Sequence, residues 1–432
     1  MRHPEIPAWF CRFGPAGSLL AVFLGMSWLY RQGQREISDS ILRSWGILPF
    51  QTPFLDTSGP LSAWDCARQG WEVMLENPCH LLHEVFDYSP FWLIGARIPL
   101  GLRDTTAVGL ALDILFILSL TLLPPPRRFV ELLLVLAATF STMVVFALER
   151  ANADLLLFML ALATGLLAER GSVSRIIGYA LAVFAALLKY YPIMVLVVLF
   201  RERIAFFVAI ALVTAGSLAV FWAAYHAEIA IGLTNVTTGP YNTDLFAAKN
   251  LPFQIGDMIE KASMPSRFTL ALSWAETAGL YAALVGAALA ICRRLLRLPG
   301  LPAAIAELSG LERTLMVIGS AVIAGCFFAG QSIGYRGVFL LLLLPGLLAL
   351  SRSADSGLRM LCLGSAIVIV LLMWGECLRL ALGGGFWFWL LRELGWWWSV
   401  TVMLALVANF LRESPVLSGR WSRPVLQYLG SR

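Results

Sequence analysis

Apolar residues arrive in runs long enough to cross a bilayer, and polar positions collect between the runs. Windows of about 17–25 apolar residues, the length a hydrocarbon core about 30 Å thick requires, fall near 15–30, 106–123, 129–147, 152–168, 174–190, 204–225, 269–291, 314–330, 336–350, 358–375 and 396–411. A further element at 191–201 is too short to cross alone. It reads as the second arm of a helix broken at Pro192, because proline removes a backbone donor and clashes with the preceding turn. The pattern predicts a single all-α polytopic domain over 1–432, a bundle of about ten to twelve transmembrane helices. Two polar stretches, 31–89 and 226–268, interrupt the series, and the first is expected to contain short interfacial helices.

Composition agrees with a membrane class. Hydrophobic residues make up 59% and charged residues 14% of the chain, and the mean hydropathy is +0.77. Soluble domains lie near 45–50% and 25%. The net charge of +5 does not point to nucleic acid, because arginines and lysines are scattered at helix ends rather than massed on one face. Arg2 and Arg12 before the apolar run Pro15 to Tyr30 are compatible with a signal peptide, but no small-x-small cleavage site follows, so a first spanning helix is expected.

The charges report orientation instead. With the N-terminus inside, the inner connections carry PPPRR at 124–128, ERGSVSR at 169–175, RER at 201–203, CRRLLR at 292–297, SRSADSGLR at 351–359 and the tail LRESPVLSGRWSR. Every short inner loop is then basic. Lys189, Lys249 and Lys261 and both long polar stretches fall outside, so the expected setting is a cytoplasmic membrane with both termini cytoplasmic.

Candidate chemistry gathers on that outer side. The stretch Phe54 to Pro90 is joined there by ERANAD at 149–154, KYYP at 189–192, GPYNTDLFAAKN at 239–250 and GQSIGYR at 330–336. Singly, such residues are commonly snorkelling anchors. Together, Glu149, Arg150, Asn152 and Asp154 at one helix rim with Lys189 at the next make an active-site cluster a serious alternative. Asn152 and Asp154 also suit an N-cap and first turn.

The run ERANADLLLFMLALATGLLAERGSVSRIIGYALAVFAALLKYYPIMVLVVLF resembles the core signature of glycosyltransferase family 87, an Asn-x-Asp helix start followed by an Ala-rich helix ending in Lys, then Tyr or Leu, then Tyr-Pro. The first outer loop, with an early Asp and a Tyr-x-Pro before the next span, and GYRGVFLLLLLPGLL resemble other segments of that family. The resemblance covers about 120 of 432 residues. It implies a GT-C-type membrane glycosyltransferase, with a polyprenyl-phosphate-linked sugar donor, a lipid or glycan acceptor, and mannosyl or arabinosyl transfer outside the cytoplasmic membrane. It places the essential Asp in the first outer loop, where Asp56 matches best, although Asp39, Asp65, Glu72 and Asp87 compete.

Sugar transfer from a lipid phosphate needs one base for the acceptor hydroxyl proton, since the phosphate leaves without protonation. A lone base opposite the phosphate gives inversion. The structural alternative for Asp56, in Asp-Thr-Ser-Gly-Pro, is an Asx-turn; Asp65 is expected on the solvated face of a helix beginning near Pro60. Lys189 and Arg336 are the phosphate candidates, each an expensive cation near the membrane unless an anion answers it. The alternatives pair Lys189 with Asp154 or Glu149, and Arg336 with Glu149 or Asp244. Arg150, Asn152 and Asp154 are candidates to hold sugar hydroxyls or to brace the loop, and Tyr190, Tyr191 and Tyr335 read as belt aromatics or ligands. The loop from Thr237 to Gln254 is placed to lie over the outer face as a lid.

Other features suggest structure. Cys66 and Cys79 share the outer loop and are read as free thiols in preference to a pair. His80 and His83 read as one polar helical face, and no metal-ligand spacing appears. Trp387, Trp389, Trp396, Trp397 and Trp398 read as an interfacial belt after a break at Gly383, Gly384 and Gly385, the competing reading being a sideways entry for a polyprenyl chain. Asp113, mid-span, is expected to be hydrogen-bonded or protonated. A transporter or lipid flippase is the rival function, but no internal repeat supports it.

Overall fold

The structure is a computed structural model that describes residues 7–50, 52–235, 239–241, 243–262 and 267–418, with backbone alone for 261–262 and 267–274. Arg2, His3, the Lys261 side chain and the tail from Gly419 lie outside the described residues.

The predicted helices form, and the molecule is an all-α, multi-pass membrane protein. Among the described residues, eight helices are long and apolar enough to cross: Ala8–Arg31, Leu102–Leu122, Phe129–Arg150, Ile204–Asn235, Ala275–Leu295, Gly310–Ala329, Ser356–Met373 and Phe386–Arg412. The other predicted spans appear as shorter apolar helices, Ala153–Ala168, Ser172–Leu188, Tyr191–Arg201 and Gly334–Leu350. Tyr191–Arg201 is a 3-10 helix with Pro192 in its first turn, where a missing N–H costs nothing.

Gly310–Ala329 is the central helix, packed against Tyr191–Arg201, Leu340–Leu350 and Phe386–Arg412. Glycines permit the close approach. A Cβ on Gly319 would fall 2.8 Å from the Leu343 nitrogen, and one on Gly346 would fall 2.8 Å from the Glu312 carbonyl oxygen. Small residues at helix contacts are what packing without a hydrophobic driving force requires. Ile204–Asn235, by contrast, is largely unburied and presents its apolar surface outward.

Phe129–Arg150 is two helices, Phe129–Thr139 and Thr142–Arg150. A break inside a span exposes backbone groups that lipid cannot satisfy. Indoles answer them: Trp45 Nε1 donates to the Phe140 carbonyl at 2.9 Å and Trp374 Nε1 to that of Ala137 at 2.7 Å. Ser141 caps the second helix by accepting from the Val144 N–H at 3.4 Å. The redirected helix ends in Glu149 and Arg150.

The first polar stretch holds an amphipathic helix, Arg35–Ser44, a helix Leu55–Arg68 and irregular chain, and a 3-10 helix, Pro90–Arg97, follows it. Leu55–Arg68 starts earlier than expected, and Asp65 stands on its partly exposed face, where it is engaged by neighbours. Its Oδ2 accepts from the Leu102 N–H at 2.7 Å and its Oδ1 lies 2.6 Å from Arg68, whose guanidinium collects the carbonyls of Ala96, Ile98 and Leu100. Cys66 and Cys79 are joined in a disulfide, against the free-thiol expectation. His80 and His83 share no helix; the chain is irregular there and His83 has a φ of 54°.

The tryptophans are also placed differently. The glycine break precedes one continuous helix, Phe386–Arg412. Trp387 is exposed, whereas Trp389, Trp396 and Trp397 are buried, and Trp396 stacks on Phe246 with ring centroids 4.3 Å apart. Phe246 belongs to the second polar stretch, which is tied down rather than loose. Its backbone pairs with Ser332 at 2.9 and 3.0 Å, and the Thr243 carbonyl accepts from Arg392. Asp113 is fully buried, and neither of its carboxyl oxygens has a hydrogen-bond partner among the described residues.

Candidate active site

The local sequence Arg150-Ala151-Asn152 makes a corner. Thr142–Arg150 ends, Ala151 takes a left-handed conformation at φ 43°, and Asn152 caps Ala153–Ala168 by accepting from the Asp154 N–H at 2.7 Å. The start of Leu55–Arg68 docks on this corner. The Phe54 N–H donates to the Glu149 carbonyl at 3.2 Å, and Thr57 Oγ1 donates to that of Ala151 at 2.6 Å. Asp56, between those two anchors in the first helical turn, is held against the corner and is not in an Asx-turn.

Both carboxylate oxygens of Asp56 are engaged. Asn152 Nδ2 donates to Oδ2 at 2.5 Å, and Arg150 Nη1 stands 3.5 Å from Oδ1. Burial raises the Asp56 pKa above its usual value; Arg150 and the Asn152 hydrogen bond oppose the rise. Arg150 lies over the Phe50 ring, 3.9 Å from its centroid, and its Nε is 2.9 Å from Glu149 Oε2 without hydrogen-bond alignment.

A second layer lies behind the first. Asp154, fully buried, holds Lys189 Nζ at 2.5 Å and has Arg336 Nε at 3.7 Å. Arg336 also donates to Ser332 Oγ at 2.9 Å. The ion pair between Lys189 and Asp154 is thus formed, while the partner of Arg336 is Asp154 and neither Glu149 nor Asp244. Lys189 ends Ser172–Leu188 and stands over the rings of Tyr88 and Tyr335, 5.2 and 6.0 Å from their centroids.

These rings form a wall. On the side toward Asp56 is a polar cavity of about 210 Å³, lined by Asp56, Arg150, Tyr88 and Tyr335 and by Asn77, His80, Glu84 and Asp87 of the irregular loop. That volume far exceeds the roughly 10–15 Å³ that admits one water. Burial lowers the His80 pKa, and Glu84 and Asp87 oppose the shift. Asp56, Arg150 and Tyr335 therefore line one cavity, braced by Asn152 and Asp154. Lys189 and Arg336 stand outside its lining, and Tyr190, 41% exposed, lies apart from it.

Asn77, His80 and Tyr88 were not singled out as site residues from the sequence. Tyr88 carries a signal, its place in Tyr-Ser-Pro before the next element; Asn77 carries none.

No family model, no curated protein and no solved structure matches this chain.

Proposed function

We propose that the protein is a membrane glycosyltransferase of GT-C type, similar to glycosyltransferase family 87. It moves a sugar, mannose in the first instance, from a polyprenyl-phosphate donor to a lipid or glycan acceptor at the outer face of the cytoplasmic membrane. The observation that carries this reading is a partly buried Asp56 facing a polar cavity, fixed by Asn152 and paired with Arg150. A carboxylate oriented in this way is suited to general-base work, because burial raises its proton affinity while its partners set its direction.

In the reaction the acceptor hydroxyl oxygen bonds to the anomeric carbon as Asp56 takes the hydroxyl proton. The bond from that carbon to the phosphate oxygen breaks, and its electron pair leaves with the phosphate. One carboxylate suffices, and the linkage inverts. Arg150 is the cation on the cavity wall and is assigned to the leaving phosphate. Lys189 and Arg336, held behind the wall by Asp154, add positive potential, and direct contact with phosphate would require them to exchange Asp154 for it. The Cys66–Cys79 bridge supports an extracytoplasmic setting for this loop, since disulfides persist in oxidising compartments.

The test is incorporation of labelled sugar from polyprenyl-phosphate-mannose into membrane lipid or glycan by the purified protein. Asp56→Asn should lower the rate by about 10²–10⁴, the usual contribution of a general base. Full activity in Asp56→Asn removes the base assignment, and solute or lipid transport without sugar transfer favours the transporter reading.

A further inference from the structure

Asn77 is an anomaly on the wall of the polar cavity. It is 3% exposed, its carbonyl accepts from the His80 N–H at 3.1 Å, and its Nδ2 donates to Ser62 Oγ of Leu55–Arg68 at 3.5 Å. Asn77 lines the cavity and Ser62 does not, so the amide oxygen is the end left for the cavity. That Oδ1 is buried and has no hydrogen-bond partner among the described residues. Buried polar atoms are seldom left so, because burial has already cost them their water.

Charge points the same way. Asp56, Glu84 and Asp87 line the cavity against one guanidinium, Arg150, which is already shared between Asp56 at 3.5 Å and Glu149 at 2.9 Å. Glu84 and Asp87, both exposed, form no ion pair among the described residues. Lys189 acts on Asp87 from beyond the wall, but it is held by Asp154 at 2.5 Å. His80 supplies no positive charge, because its Nδ1 accepts from the Glu84 N–H at 3.3 Å, which only the neutral ring does. Phe86, Tyr88 and Tyr335 add aromatic wall. Phe50 separates this chamber from an apolar cavity of about 230 Å³, lined by Phe23 and Leu110 among others, so a charged group is held on the polar side.

We propose that the polar cavity selects an acceptor carrying a free ammonium group beside the hydroxyl it offers, with Asn77, Glu84 and Asp87 as the specificity-determining residues. This rests on the transferase reading above. An ammonium has three donors and no acceptor, and it meets here an unpaired amide oxygen, two carboxylates and aromatic faces that attract cations. A neutral sugar hydroxyl satisfies Asn77 and leaves both charges unanswered. A metal ion is less suited, since among the described residues no group of His, Cys, Asp and Glu is placed to hold one. The ammonium also offsets an acidic wall that would otherwise repel the leaving phosphate.

The test is binding to the full-length protein in nanodiscs, read by saturation-transfer-difference NMR, which needs no transfer step. The probes are methyl glucosaminide at a pH where its amine is charged, methyl N-acetylglucosaminide, methyl glucoside and ethanolamine. Methyl glucosaminide should bind about tenfold more tightly than methyl glucoside, and N-acetylation, which removes the charge, should abolish the advantage. The Glu84→Gln, Asp87→Asn double variant, and independently Asn77→Ala, should bring that ratio toward one. Equal binding of the three glycosides by the unmodified protein overturns the inference, and a ratio unchanged in both variants overturns its assignment to this wall. Ethanolamine competing as well as methyl glucosaminide supports the ammonium site with a lipid headgroup as its source; failure to compete supports an amino sugar. An ammonium preference in a protein that transfers no sugar from polyprenyl-phosphate-mannose supports the site and removes the transferase reading. Transfer to a neutral acceptor without any ammonium preference overturns this inference alone.

Discussion

At the scale of single residues, the balance around Asp56 decides when the base proposed above could work. Burial raises its pKa, and Arg150 and the Asn152 hydrogen bond lower it by favouring the charged form. A general base is competent only when deprotonated, so activity should fall on acidification at a pH above the roughly 3.9 of an ordinary aspartate. Removing one opposing partner must move the limb further up. Asn152→Ala, read as kcat/KM against pH, should shift the acid limb to higher pH, and an unmoved or lowered limb would show that the amide does not tune the base. The sign for stability is the reverse of that for a salt-bridged carboxylate. An acid whose folded pKa is raised stabilises the folded chain only when protonated, and that contribution is lost as pH rises through the folded value. The pairing of Asp56 with Asn152 was not legible in the sequence, because the two are joined across separate helices. Only their membership of the same outer side could be read. The capping role of Asn152 was legible, since an Asn before an apolar helix accepts from the first turn whatever else it does.

At the scale of elements, the irregular loop that forms the far wall of the polar cavity has little secondary structure to hold it. Between Gln69 and Ser89 it relies on short turns, on the burial of Val73, Met74 and Phe86 against Ala63, and on the bridge from Cys66 in Leu55–Arg68 to Cys79. With 13 residues of separation, the bridge contributes about 3 kcal/mol on the chain-entropy account. The Cys66→Ala, Cys79→Ala double variant should therefore lose Tm, and a reducing agent should lower the Tm of the unmodified protein and leave the double variant unchanged. Equal Tm values for the two proteins would assign the loop's order to packing alone. Helix existence was read well from hydrophobic runs, because apolar length is a local property. Helix interruptions and burial were not. The break at Phe140 is stabilised by Trp45 and Trp374, which lie far from it in the chain. Trp396 leaves the expected interface because Phe246 supplies a ring for it to stack on. An indole's partner is a tertiary fact, and composition near a helix end says only that the residue is amphipathic.

At the scale of the whole molecule, charge is divided between two ends of the bundle. One end carries the basic connections, where acidic partners gather around single arginines: Arg352 reaches Glu131 and Glu312 at 3.2 and 3.3 Å, and Arg201 reaches Glu169 at 2.5 Å. The other end carries both polar stretches, the disulfide and the two cavities that meet at Phe50. On the proposed orientation, taken from the positive-inside rule, the first end faces the cytoplasm and the second the outside. The two ends make opposite demands on a reagent that cannot cross the membrane. In intact cells, with Cys377 replaced by Ala to remove the half-buried free thiol near the outer loop, Glu76→Cys should react with an impermeant maleimide. Ala354→Cys, exposed in the basic connection after Gly334–Leu350, should react only once the membrane is opened. The reverse pattern would put Asp56 on the cytoplasmic side and leave its loop disulfide in a reducing compartment. A cytoplasmic Asp56 would also meet soluble nucleotide sugars, so the maleimide pattern bears on the donor as well as on orientation.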